Sequence, residues 1–189
     1  MKTLAITLGL LMAPLLNPEP LVTYQTDKAQ STMAIEGTST LHDWTVKAED
    51  LRGTMDVDRF EKRLAINALQ LTVPVETLES GKSPMNSNMY EALKSEEHPQ
   101  IKYGLTEVLS QEWLGQGEVK LTTRGQLSIA GKTRTMDIPV RAVLSDEGVT
   151  LKGSSRFKMS SFGVEPPSFM FGSVTTGDYV TVNFSLRYN

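Results

Sequence analysis

From Val22 onward the chain alternates between apolar and polar residues, and it does so again and again. Met33, Ile35 and Gly37 alternate with Thr32, Ala34 and Glu36; Trp44, Val46 and Ala48 follow, then Leu51, Gly53, Met55 and Val57. A period of two is that of a half-buried β-strand, whose successive side chains point to opposite faces. Leu64–Val75 alternates too, but Leu64 and Ile66 are even positions while Leu69, Leu71, Val73 and Val75 are odd. One extra residue near Asn67 and Ala68 restores the phase, which predicts a β-bulge there. The second half continues with Ile101 to Leu105, Val119 to Thr123, Leu127 with Ile129, Met136 to Leu144, Val149 to Met159 and Val180 to Tyr188. Turn signals separate these stretches at Gly115–Gly117, Ala130–Lys132, Asp146–Gly148 and Thr176–Asp178.

Many short alternating strands in one chain predict a single antiparallel sheet that closes on itself: an all-β barrel of about eight strands. One segment departs from the rule. Between Pro84 and Ser95, Met85, Met89 and Leu93 recur every four residues, with Asn86 or Ser87 placed to cap the start and His98-Pro99 to end it. This predicts one short helix covering a barrel end through its methionine and leucine face.

The first residues read differently. Lys2 is the only charge before Glu19, and Leu4 to Leu16 is nearly all apolar, as in a secretory signal peptide and too short to span a bilayer comfortably. Residues 1–21 are therefore expected to be a signal peptide and 22–189 one domain, with a periplasmic or secreted location. The 189 residues suit one core and not two. No cysteine occurs, so neither disulfide nor lipid-modified cysteine holds the domain. The net charge is −3 with no basic block, which argues against nucleic-acid binding.

Catalytic chemistry finds little support. His42 and His98 are the only histidines, and without cysteine the supply of nitrogen and sulfur ligands for a metal site is thin. No nucleophile elbow and no phosphate-cradling glycine loop is present, and Asp56 and Asp58 share what reads as a solvent face. No enzyme activity, metal or cofactor is expected. The inward stripes instead mix large residues with Gly37, Ser39, Ala48, Gly53, Ala142, Gly153 and Ser155. Small inward residues either leave a cavity inside the barrel or relieve crowding at bent strands. The stretch from Phe157 to Phe171 adds Phe162 and Phe169 around Pro166-Pro167, an apolar loop suited to a pocket mouth or a satellite core.

Several motifs resemble the YceI-like family when taken together and in order. They are Gly37 to Trp44 (GTSTLHDW), Met89 to Leu93 with His98 to Ile101, Gly125 to Thr133, Phe171-Gly172, and Thr176 to Asp178. The first of these marks one branch of the family. The resemblance implies a lipocalin-like barrel, export to the periplasm, and an apolar lipid such as an isoprenoid or quinone-like chain held inside; transient membrane contact is expected of a protein that shuttles such a lipid. The ligand-binding residues expected on both grounds are His42, Trp44, Tyr90, Gly153, Ser155, Phe157, Phe162, Phe169 and Phe171. The competing expectation is a barrel with a packed interior that acts through its outer surface.

Overall fold

The computed structural model describes residues 22–60, 63–169 and 173–189. The expected signal segment, Met170 and Phe171 lie outside these residues, as does the side chain of Phe169. In chain order the elements are β1 (Val22–Gln25), β2 (Thr32–Ser39), β3 (Trp44–Ala48), β4 (Arg52–Phe60) and β5 (Arg63–Pro74). A 3-10 turn (Val75–Thr77), β6 (Leu78–Glu79) and the helix α1 (Ser83–Ala92) follow. The rest comprises β7 (Gln100–Gly115), β8 (Glu118–Ile129), β9 (Lys132–Ser145), β10 (Gly148–Lys158), a 3-10 turn (Met159–Phe162), β11 (Ser168–Phe169) and β12 (Val174–Tyr188).

All the strand pairs among the described residues are antiparallel, in the order β1-β4-β5-β7-β8-β9-β10-β12-β2-β3-β6. The sheet curls until β1, at one end of this path, reaches β12: Thr26 bridges Tyr188, and Gln25 and Asn189 exchange backbone hydrogen bonds of 2.9 and 3.0 Å. The expected number of about eight strands does not describe this sheet, whose path runs through eleven with β11 beside it. The excess comes from short edge pieces. β1 and β6 are only four and two residues long, too short to show a period of their own.

Local chemistry explains most boundaries. Gln116-Gly117 and Ala130-Gly131 have positive φ at both positions, the backbone of the tight primed hairpin turns that match strand twist. The bulge lies where the phase change places it: Asp56 pairs Ala68 and Val57 pairs Ile66, leaving Asn67 extra. Thr176–Asp178, expected to be a turn, lies inside β12 instead. There the register against β2 jumps from Thr176↔Ser39 to Val180↔Gly37, so the residues that look like a turn form a bulge.

The helix begins at Ser83, after Lys82 in extended conformation, with Pro84 in its first turn. Asn86 does not cap it. Its side chain is buried and accepts hydrogen bonds from the Ser80 backbone N–H (2.9 Å) and hydroxyl (2.6 Å), while its Nδ2 donates to Glu79 (2.7 Å). That bond and the Gly81 N–H keep the Glu79 carboxyl below its usual range. Tyr90 donates its hydroxyl toward the carbonyls of Glu76 (3.1 Å) and Leu78 (2.8 Å), pinning the helix to the β5–β6 corner.

Packing divides the interior into two halves. Toward the C-terminal end of β12, Met55, Val57, Leu64, Val119, Ala142, Val149 and Tyr188 are at most 1% exposed and form a solid plug. Toward α1 and the Met159–Phe162 turn, the inward side chains face space.

Candidate functional site: an apolar cavity beneath the helix

That space is a cavity of about 810 Å³, within the range of small-molecule sites, and its walls are almost wholly apolar. Leu151, Phe184 and Leu186 form its floor above the plug. Met33, Ile35, Val46, Leu71, Tyr103, Leu121, Ile138, Val140, Val180 and Val182 make its walls. Met85, Met89 and Ala92 of α1 and Leu93 at its C-cap roof it, and Leu41, His42 and Lys82 stand at the rim. The methionines suit such a site because an unbranched, polarizable side chain conforms to irregular shapes.

The size pattern of the inward residues does not create the cavity in the simple way the sequence suggests. Three of the inward glycines are covered by other side chains. The Trp44 ring lies over Gly37, its cross-strand partner. A Cβ on Gly153 would sit 2.5 Å from Phe184 Cζ and 2.9 Å from the Pro139 carbonyl oxygen. One on Gly53 would sit 2.7 Å from both the Gln70 carbonyl oxygen and Thr26 Oγ1. The glycines are seats for aromatic rings and backbone, and not open volume. Gly125 plays the same part for the Tyr103 ring. Ser39 and Ser155 do line the cavity, whereas Ala48 and Ala142 are packed.

Of the residues expected to bind a ligand, the structure brings together His42, Trp44, Ser155, Phe157 and Phe162 on the cavity wall. Gly153 is not among the lining residues, because Phe184 occupies its space, and neither is Tyr90, whose hydroxyl is used to anchor the helix. Burial, with the charges of Glu79 and Glu76 nearby, raises the Tyr90 pKa. Phe171 and the Phe169 side chain fall outside the described residues. The apolar loop serves as satellite core and cavity wall at once. Phe162 and Val164 are buried against Ile129, and the Phe157 and Phe162 rings meet edge to face at 5.2 Å.

The rim is held by short-range polar bonds. Ser39 Oγ donates to the His42 carbonyl (2.7 Å) and accepts from the backbone N–H groups of Leu41 and His42 (3.2 Å each), which folds the β2–β3 loop into a tight turn. Thr40 N–H donates to the Thr175 carbonyl, tying the loop to β12. Trp44 spends its indole N–H on the Thr38 carbonyl (3.1 Å), and His42 Nδ1 lies 2.8 Å from the Asp43 carbonyl oxygen. Inside, Thr123 donates to the Ile138 carbonyl at 3.1 Å. Burial raises the pKa of Tyr103 and pushes that of Tyr188 up to about 12.

The sequence reading missed the contributions of Leu41, Lys82 and Asn88, which line the cavity from the rim and the helix. Leu41 and Lys82 lie in loops without a period, and Asn88 reads as a polar surface position; only their place beside the mouth distinguishes them. Among the described residues no group of three histidine, aspartate or glutamate side chains is placed to hold a metal ion.

Solved structures share this architecture. A crystal structure of BcnA from Burkholderia cenocepacia superposes with a TM-score of 0.69 at 19% identity, covering 86% of this chain and 98% of that one. A polyisoprenoid binding domain from Saccharophagus degradans gives 0.68 at 13% identity, covering 88% and 97%. The YCEI protein of Campylobacter jejuni gives 0.58 at 13% identity, covering 75% and 82%. At these identities the likeness is one of fold. No curated protein matches the sequence. The sequence profile of the YceI-like domain matches residues 24–188, nearly all of the alternating chain, and the protein therefore belongs to the YceI-like family.

Proposed function

We propose that the protein is an exported, non-catalytic carrier that holds one apolar chain, isoprenoid, quinone-like or similar, in the cavity beneath α1. The observation that carries the reading is the cavity itself: about 810 Å³ of apolar-walled space closed below by a packed plug. A barrel working only through its outer surface gains nothing from an unfilled upper half, which forfeits dispersion contacts along its whole lining. The family and its polyisoprenoid-binding neighbour in Saccharophagus degradans add support from chemistry of the same kind.

Size narrows the ligand. At ~30 Å³ for a water-sized group, 810 Å³ takes roughly 27 such groups, so a much longer polyprenyl chain would leave one end outside the mouth. Affinity does not follow from burial alone, because a bilayer is as apolar as the cavity and competes on equal terms. Selectivity then falls to polar groups at the rim, where His42 Nε2, Asn88 and Lys82 are the groups we assign to the ligand's polar end, while Trp44, Phe157, Phe162 and Ser155 contact its chain.

Native mass spectrometry and lipid extraction of protein purified from its own host test this reading directly. One co-purifying apolar chain per polypeptide is expected, on material whose N-terminus lies near Leu21 or Val22. Ligand-free protein that also fails to take up a fluorescent fatty acid would refute the carrier function, and soluble protein retaining Met1 in the cytoplasm would refute export.

A further inference from the structure

The mouth of the cavity has an outer edge with chemistry of its own. On the outward side of β10, Lys152, Arg156 and Lys158 follow one another with no carboxylate between them. Lys152 is directly opposite Arg141 on β9, which is opposite Lys120 on β8, so three cations stand side by side across three strands, and Lys120 faces Glu112 of β7 on its other side. Like charges in directly opposed positions destabilise a sheet. In a chain whose net charge is −3, their concentration on one wall is a local departure from the whole. Glu118 reaches Arg141 at 3.4 Å, yet Lys152, Arg156 and Lys158 form no ion pair among the described residues.

This basic strip runs up to the rim. Lys158 is the last residue of β10 before Met159, which lines the cavity. Beside it Tyr179, 47% exposed on β12, is flanked by Arg156 (4.5 Å from the ring centre) and Lys158 (5.2 Å). Asp178, next to Tyr179 in the chain, accepts hydrogen bonds from the backbone N–H (2.9 Å) and hydroxyl (2.7 Å) of Ser160, and the charge of Lys158 adds to the lowering of its pKa. One strand further on, the β2–β3 loop projects Leu41, 69% exposed and also a cavity-lining residue, with Asp43 close by in sequence. Lys82 completes the rim at the start of α1. An exposed leucine, a half-exposed tyrosine clasped by cations, and a basic strip together match the demands of a phospholipid interface: an apolar tip to dip, an aromatic at headgroup depth, and cations for phosphates.

We propose that the rim formed by the ends of β2, β10 and β12 is a docking edge for an anionic phospholipid bilayer, with Leu41 at its tip and Arg156, Lys158 and Tyr179 against the headgroups. The proposal rests on the carrier reading for its purpose, since a lipid that gains little by leaving the bilayer exchanges most readily where the mouth touches the membrane. Docking itself is measured without any cavity ligand.

The test is co-sedimentation of the purified chain with vesicles of phosphatidylcholine, with and without phosphatidylglycerol, at low and high salt. Binding is expected only with phosphatidylglycerol, and is expected to weaken as salt rises. Replacing Arg156→Gln and Lys158→Gln together should lower the partition roughly thirty-fold, at about one cation's attraction each. Leu41→Ser should lower it several-fold, and Lys102→Gln on β7 should leave it unchanged. All these side chains are exposed, so the variants should keep the wild-type melting temperature. Absence of binding to phosphatidylglycerol vesicles overturns the proposal, and so does binding that ignores the double variant, including the case in which the strip is found to hold an acidic protein instead. Uptake of a fluorescent fatty acid in vesicle-free buffer, measured in parallel, reports on the cavity alone: normal uptake without docking refutes the edge and leaves the carrier intact.

Discussion

Two neighbouring inward positions on one strand should respond in opposite ways to added bulk. Gly153 and Ser155 both point inward on β10, separated by one residue. At Gly153 a Cβ alone would lie 2.5 Å from Phe184 Cζ and 2.9 Å from the Pro139 carbonyl oxygen. The phenyl ring can turn aside, but the carbonyl belongs to β9, which pairs Val140 directly with Gly153. Gly153→Leu should therefore cost about 1–3 kcal/mol through overpacking, or roughly 2–4 °C of melting temperature per kcal/mol in a domain of this size. At Ser155 the side chain meets the cavity. Ser155→Phe places a ring in unfilled space and removes a hydroxyl from an apolar wall, so the stability should hold or rise. The same ring takes volume the ligand needs. Thermal denaturation followed by circular dichroism and titration with a fluorescent fatty acid read the two effects separately. The expected pattern is a less stable Gly153→Leu protein and a stable Ser155→Phe protein that has lost probe uptake. A tolerated Gly153→Leu together with an unfolded Ser155→Phe would show that the void lies elsewhere and that the assignment of floor and wall is wrong.

Other perturbations test the roof and the plug. Leu93→Asp sets a carboxylate among Met89, Ile101 and the Phe162 cluster, and should destabilise by about 2–4 kcal/mol in urea titration; a change within about 0.5 kcal/mol would make the helix peripheral. Tyr188 in the plug has its pKa raised from 10.0 to about 12 by burial. Its folded-state pKa exceeds the unfolded one, so its contribution is whole below pH 10 and is lost as pH rises toward 12, by about 2–3 kcal/mol at ~1.4 kcal/mol per unit. Tyr188→Phe should flatten the stability profile between pH 10 and 12, and an unchanged slope there would dissociate Tyr188 from alkaline unfolding.

Period-two alternation was enough to identify the long strands, their inward faces and the all-β class, because the pleat sends every second side chain to the same side whatever the rest of the molecule does. The phase slip at Asn67 was legible for the same reason, and Met85, Met89 and Leu93 betrayed the helix by their spacing. What alternation cannot express is which inward residues share a given volume. Gly37, Gly53 and Gly153 look like open space in the sequence, yet a ring from across the sheet, or neighbouring backbone, occupies each; Ser155, two residues along from Gly153, faces the void. Thr176–Asp178 has the composition of a turn, but the pairing of Thr176 and Val180 with β2 on either side of it, and of Tyr179 onward with β10, holds it in the sheet as a bulge. Tyr90 carries a polar group suited to a ligand, and the β5–β6 corner claims it first. The division into a packed plug and a hollow upper half depends on partners brought together from distant strands. Inward or outward is a property of a residue and its neighbours in the chain, whereas filled or empty is a property of the whole curled sheet, and only the tertiary structure decided it.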